Sequence, residues 1–163
     1  MSINRGIDRD SCCFNEVFQG FEKVEAVKAI FGDETDSILS KLKLVLRPLK
    51  GYLYVDDETG SIVVNTQYLR TGDERHLYLD AIHELVHVRQ FREGKELFDK
   101  RYSYVDRPTE IEAYSVAVEE ARRIGMGDEE IVDYLRVEWV TEEEFQRLLV
   151  KVGVKPRPIP DKP

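Results

Sequence analysis

The sequence predicts an α+β fold that is mainly helical and carries a small β-sheet. Two observations support this fold class. Apolar residues recur at helical spacing through most of the chain, and a stretch near residue 50 is instead rich in β-branched and aromatic residues. With 163 residues, 42% of them hydrophobic, the chain is long enough to bury a core without disulfide or metal support. We therefore expect one domain over 1–154 and a proline-spaced tail over 155–163.

Two helices are predicted before the sheet. Apolar positions at helical spacing favour one helix over 15–31, which Gly32 ends, and a second helix over 36–46. Two β-rich runs, 52–55 and 62–65, follow and are joined by a polar loop. This arrangement is typical of a β-hairpin.

Helical periodicity returns in the second half of the chain. It predicts a long helix from Asp73 to about Arg92, and then an irregular aromatic segment over 95–107. Pro108 lies early in the next predicted helix, where its missing N–H costs nothing. Thr141 and Glu144 have the spacing of a capping box. The three further helices are predicted at 106–124, 128–136 and 141–153.

Composition and charge exclude several classes of function. The formal net charge is −8 and no long basic run occurs, so nucleic acid is not an expected partner. The first residues lack an apolar signal region, and no stretch is long enough to span a bilayer. We therefore expect a soluble, cytoplasmic protein whose partner is a peptide or protein substrate. Cys12 and Cys13 are adjacent, which argues against a disulfide framework and favours a reduced pair.

The most informative segment is His83-Glu84-Leu85-Val86-His87 on the long predicted helix. Residues four apart lie on one face of a helix, so both imidazoles can reach one metal ion. Glu84 is offset round the helix, near enough to act as general base on a metal-activated water. Zinc lowers the pKa of such a water towards neutrality. The segment therefore predicts one zinc ion per chain, held by His83 and His87, and a metallopeptidase activity.

A catalytic zinc site needs a third protein ligand. The metzincin pattern requires glycine at 90 and histidine at 93, and the chain has Gln90 and Glu93 instead, which excludes that class. Glu93 is a weak alternative ligand. Glu110 and Glu112, on a helix long enough to pack beside the first, are better candidates, and spacing alone does not separate them.

The histidine motif followed by a helix-borne glutamate resembles the gluzincins, the clan of thermolysin-like zinc peptidases. That clan includes the small minigluzincins and the ImmA/IrrE-type and HtpX-type peptidases. The resemblance covers roughly residues 80–118 and implies a zincin-like domain with Glu110 as the third ligand, since Ala113 and Tyr114 follow it at the clan's third and fourth positions. Glu112 is then a supporting or surface group. Tyr114 departs from the usual Asp or Asn.

The resemblance also implies how substrate is bound. In the clan an edge strand before the metal-binding helix holds the substrate in extended form, and here Ile62–Asn65 would be that strand. The alternative is a strand that pairs only within its own sheet. Candidate donors to the oxyanion are three tyrosines and the one histidine outside the motif, namely Tyr102, Tyr104, Tyr114 and His76.

Two alternative functions remain open at this point. One is a latent, zinc-binding regulatory protein of the same fold, and the other is a zinc hydrolase of a non-peptide amide. The small size predicts a shallow cleft that a dimer partner, the proline-rich tail or residues 1–14 would complete or block. A thiolate of Cys12 or Cys13 covering the metal is a further form of latency.

Overall fold

The computed structural model describes residues 1–157 and divides the chain into two compact units, Met1–Leu97 and the part from Phe98 onward. Helices hold 55% and strands 12% of the described residues, which confirms the predicted α+β, mainly helical class. Within these residues no helix is both long and apolar enough to cross a membrane. The predicted tail lies outside the described residues from position 158 onward.

The first unit begins with short strands that the sequence did not predict. Strand β1 (Ser2–Ile3) pairs antiparallel with β3 (Phe18–Gln19), and β2 (Ser11–Cys13) joins the main sheet. Residues 1–14 are therefore built into two sheets through β1 and β2. That they complete or block a cleft stays a prediction.

The single helix predicted over 15–31 is wrong. The segment forms helix α1 (Phe14–Val17), strand β3, a 3₁₀ turn and helix α2 (Glu25–Phe31). Gly20 takes a φ of 82°, a left-handed conformation that interrupts a helix at low cost only in glycine. The helical spacing of the phenylalanines reflects a packed cluster instead. Phe14, Phe18 and Phe21 are fully buried, with ring centroids 4.9 to 5.6 Å apart.

The helix predicted over 36–46 is right only in its first half. Helix α3 (Thr35–Lys41) is followed at once by strand β4 (Lys43–Arg47). Leu44 and Leu46 are buried, whereas Lys43 between Leu42 and Leu44 is exposed, so the burial alternates as in a strand. The leucines fit both a helical and an alternating spacing, and pairing on both sides of β4 decides between them.

The predicted hairpin is confirmed as β5 (Leu53–Val55) and β6 (Ile62–Asn65), which pair antiparallel. The four-stranded sheet has the order β2-β4-β6-β5, with β4 parallel to β6 and antiparallel to β2. Ile62–Asn65 is therefore an interior strand with neighbours on both sides. The expectation that it is an edge strand is wrong. The second strand of the hairpin pairs with β4, so the first strand, β5, lies at the edge of the sheet.

After the sheet come helix α4 (Thr66–Thr71) and the long helix α5 (Glu74–Arg92), which confirms the helix predicted from 73 to 92. The Asp73 carboxylate accepts a hydrogen bond from the backbone N–H of His76 at 3.0 Å and so caps α5. Helix α5 packs against α2 and β5. It is the central helix of the first unit.

The second unit contains the three remaining predicted helices, all confirmed: α6 (Pro108–Arg123), α7 (Asp128–Leu135) and α8 (Glu142–Lys151). Pro108 occupies the first turn of α6. The capping box of α8 is formed, because Thr141 Oγ1 accepts from the N–H of Glu144 and Glu144 Oε1 accepts from the N–H of Thr141. The segment before α6 is irregular except for one 3₁₀ turn, Tyr104–Asp106.

Candidate metal centre

Helix α5 is buried almost all the way round along its middle. Every residue from 77 to 88 is buried except Asp80, and most of these residues are apolar. A helix that is buried on all sides belongs to a core, where polar side chains are costly unless they bond or serve a function. His83, Glu84 and His87 are nonetheless buried there, 5, 6 and 7% exposed. Their presence in the core requires a physical reason.

The two imidazoles face each other. The Nε2 atoms of His83 and His87 lie 3.1 Å apart. Two nitrogens bound to one zinc at about 2.05 Å in a tetrahedral arrangement would be about 3.3 Å apart. The observed distance matches this within a few tenths of an ångström, and it is also the distance of an N–H···N hydrogen bond. The pair therefore fits a metal ion without requiring a rearrangement of the helix.

Glu84 completes the group. One carboxylate oxygen of Glu84 and one nitrogen of each histidine all lie within 4.8 Å of one another. Glu84 is turned about 100° round the helix from His83, so it approaches the same point from the side. The structure thus brings together all three residues that the motif singled out. Imidazole nitrogen suits zinc, copper, iron and nickel, so the donor set is compatible with a metal ion but does not identify the element.

Gln90 orients one of the histidines, a role that was not predicted from the sequence. Its side chain is fully buried, and its Oε1 accepts a hydrogen bond from Nδ1–H of His87 at 2.7 Å. This bond places the proton on Nδ1 and leaves Nε2 unprotonated, the form a metal requires. The signal was available, because a residue three positions after a histidine shares its helix face.

Two further residues named from the sequence, Glu93 and His76, lie near the two ends of α5. The Glu93 carboxylate is exposed, and it forms ion pairs with Arg89 at 3.2 Å and Lys95 at 3.9 Å. It is therefore a poor alternative ligand in this structure. His76 lies in the first turn of α5 and is half-buried, two helical turns before His83.

A second polar pair lies one turn before the histidines. The Tyr68 hydroxyl donates to Oδ2 of Asp80 at 2.5 Å, and the rings of Tyr68 and Tyr52 are 4.7 Å apart. Burial, followed by the nearby Asp80 carboxylate, raises the pKa of Tyr68 well above its ordinary value, so the hydroxyl stays protonated. Because Asp80 is three residues before His83, it shares the face of α5 that carries the histidines and Glu84.

In the second unit, Glu110 is buried in the first turn of α6, 6% exposed. The Tyr104 hydroxyl forms a hydrogen bond with the Glu110 side chain, and it lies 2.7 Å from the Tyr114 hydroxyl. Burial, then the charges of Tyr114 and Glu110, raise the pKa of Tyr104 well above its ordinary value. A tyrosine that stays protonated can donate to the carboxylate, so Tyr104 and Tyr114 form a chain of hydroxyls that ends on Glu110.

The remaining predicted residues are less enclosed. Glu112 is half-buried on α6, and Tyr102 is 42% exposed. Cys12 and Cys13 are free thiols on β2, and burial raises the pKa of the Cys12 thiol. A raised pKa lowers the thiolate fraction, which makes Cys12 a weaker metal ligand at neutral pH.

Comparisons of this chain with protein-family models, curated proteins and solved structures gave no match. The resemblance to gluzincins therefore rests on the residues of α5 and α6 described above, and membership of that clan stays a prediction.

Proposed function

We propose that the protein is a zinc-dependent peptidase that uses Glu84 as its general base. One observation carries the proposal: two histidines and a glutamate are buried side by side on the central helix of the first unit, with the histidine Nε2 atoms 3.1 Å apart. Buried ionisable groups are costly, and metal coordination is a common reason for retaining them. Their order along the helix matches the pattern in which two histidines hold zinc and the glutamate between them acts on water.

The proposed ligands are His83, His87 and Glu110. Burial favours Glu110 over Glu112, because a carboxylate that is enclosed and supported by a tyrosine hydroxyl is held in one orientation. Its position in the first turn of α6 also stabilises the negative charge that a ligand needs, since the free N–H groups and helix dipole are positive there. Glu93 is not proposed, because its carboxylate is exposed and paired.

Zinc in such a site supplies Lewis-acid activation of a water molecule and of the scissile carbonyl. Glu84 would accept the proton of the attacking water and later deliver it to the leaving amine. Gln90 keeps Nδ1 of His87 protonated, so Nε2 of that histidine remains available as a ligand.

The proposed substrate strand must be an edge strand, and Ile62–Asn65 is an interior one. Strand β5 is an edge strand of the four-stranded sheet, and it packs against α5, the helix that carries the histidines. An extended peptide can add to the edge of a sheet through main-chain hydrogen bonds. We therefore assign Leu53–Val55, rather than Ile62–Asn65, as the strand that would bind substrate.

The test is hydrolysis of casein or fluorogenic peptides by the wild type and by Glu84→Gln, with zinc content measured on both. Glutamine has nearly the same shape but cannot accept the proton, so we expect kcat to fall about 100- to 10,000-fold with zinc retained. Equal activity in the two proteins would contradict the role of Glu84. Zinc without peptidase activity in the wild type would favour the regulatory alternative, and turnover of small amides alone would favour a non-peptide hydrolase.

A further inference from the structure

A pocket of about 310 Å³ lies beside the C-terminal half of α5, within the first unit. Its walls are the end of α3, the beginning of β4, the hairpin loop at 59–61 and the last turns of α5. None of the proposed zinc ligands lines it. Its volume is near the lower end of the range for pockets that hold small molecules.

The rim of this pocket is cationic. Lys41, Lys43 and Arg92 line it, all three are exposed, and none forms an ion pair with any residue among positions 1–157. No carboxylate lines the pocket. Glu93, the acidic neighbour of Arg92, is paired with Arg89 and Lys95. An unneutralised cluster of three cations is unexpected in a chain of net charge −8.

Two helices end at this pocket, and the negative ends of their dipoles partly offset the positive charge of the rim. The C-termini of α3 and α5 each contribute about half a negative charge. Three full positive charges outweigh this by about two elementary charges, so the pocket remains a site for an anion. Three hydroxyls, from Ser37, Thr59 and Ser61, add hydrogen-bond donors to the same lining.

The floor of the pocket is apolar. It is formed by Ile38, Leu42, Val88 and Phe91. The loop is fixed against this floor by Gly60, because a Cβ at that position would lie 2.6 Å from Cε1 of Phe91. Gly60 also has a φ of 77°. Its close approach and left-handed backbone both require glycine, so this wall of the pocket lies directly against the Phe91 ring.

We propose that this pocket binds a small organic anion, with a carboxylate or phosphate group on the cationic rim and an aliphatic or aromatic body on the apolar floor. The site is separate from the zinc ligands and does not depend on the proposed peptidase activity. A ligand seated here contacts Val88 and Phe91, which follow His87 and Gln90 directly on α5.

The test is calorimetric titration of the full chain with phenyl phosphate and hexanoate, and with their neutral counterparts phenol and hexanamide. We expect one of the two anions to bind with a Kd of about 1 mM or tighter, and the neutral compounds to bind at least about tenfold more weakly. Inorganic phosphate alone should also bind more weakly, because it leaves the apolar floor uncovered.

The double variant Lys41→Gln with Lys43→Gln should raise the Kd of the anion about tenfold. The matched control is Lys23→Gln with Lys50→Gln, two exposed lysines outside the pocket, and it should leave the Kd unchanged. Thermal unfolding establishes that both variants are folded. The proposal is overturned if neither anion binds, if neutral compounds bind equally well, or if the two double variants behave alike.

Discussion

Helices α5 and α6 both bury carboxylates, but they stabilise them by different means. Glu84 lies in the middle of α5, on a stretch of mostly apolar buried residues, and is grouped with His83 and His87 in the space of two turns. Glu110 lies in the first turn of α6 and is bonded by Tyr104, a residue from outside the helix. The first arrangement follows from helix periodicity alone, whereas the second also requires a neighbouring turn.

The difference suggests a division of roles. A carboxylate that must remain a ligand benefits from a donor that holds it in one orientation. On this basis Glu110 is the proposed ligand, whereas its place between the two histidines of the motif makes Glu84 the proposed base.

Among the variants that test these two roles, Glu110→Ala is expected to have the largest effect on zinc affinity. Removing a proposed ligand should weaken zinc affinity by more than about 100-fold, beyond what the loss of a supporting group causes. Glu112→Ala, two residues along the same helix, is the matched control and should retain zinc. Competition with a calibrated zinc chelator gives both affinities. If the two variants exchange behaviour, Glu112 is the ligand and the role given to Tyr104 fails with it.

A smaller effect is expected from the two residues that orient the proposed ligands, Gln90 on α5 and Tyr104 before α6. Gln90→Leu removes the acceptor for Nδ1–H of His87, and Tyr104→Phe removes a donor to Glu110. Each should weaken zinc affinity about 10- to 100-fold. Gln90→Glu keeps an acceptor and should restore affinity, while Tyr102→Phe, at an exposed tyrosine, should have no effect. Equal affinities in Gln90→Leu and Gln90→Glu would show that Gln90 only fills space.

The smallest effect concerns the turn that carries Tyr104. Asp106 anchors this turn, accepting from Ser103 Oγ at 2.6 Å and pairing with Arg147 at 3.0 Å and with Lys151. The bond from Lys151, followed by those from Ser103 and Arg147, lowers the pKa of Asp106. Asp106→Asn should therefore reduce the free energy of unfolding by about 1 kcal/mol at neutral pH, as is usual for a partly exposed pair.

The pH dependence of that effect follows from the direction of the shift. A lowered pKa in the folded state stabilises the protein above the unfolded value, about 4, and the contribution disappears as the pH falls through the folded value. Urea unfolding of wild type and Asp106→Asn should differ at pH 7 and converge below pH 4. A difference that persists unchanged in acid would mean that the charge of Asp106 is not responsible.

The same contrast explains what the sequence could predict. The grouping of His83, Glu84 and His87 was predictable because five consecutive residues on one capped helix determine it. The beginning of α6 and the cap of α8 were predictable from Pro108 and Thr141. The N-terminal strands were not, because they depend on pairing between distant segments: β1 with β3 and β2 with β4. The spacing of Leu42, Leu44 and Leu46 fits both a helix and a strand, and only pairing with the neighbouring strands makes this segment a strand.

The two residues that orient the proposed ligands, Gln90 and Tyr104, differ in how far they could be predicted from the sequence. Gln90 could have been identified from its spacing to His87, since both lie on α5. Tyr104 could not, because its hydrogen bond to Glu110 joins a 3₁₀ turn to the helix that follows it, and no periodic pattern relates the two. Sequence periodicity predicts which residues share a face of one helix or strand. It does not predict contacts between residues of different elements.

The most direct test of the proposed zinc site is elemental analysis of the purified chain after zinc reconstitution and removal of excess metal. We predict about one zinc per wild-type chain, loss of that zinc in the double variant His83→Ala with His87→Ala, and full retention in His76→Ala, which changes the third histidine of the chain on the same helix. No zinc in the wild type, or equal zinc in the two variants, would contradict the account.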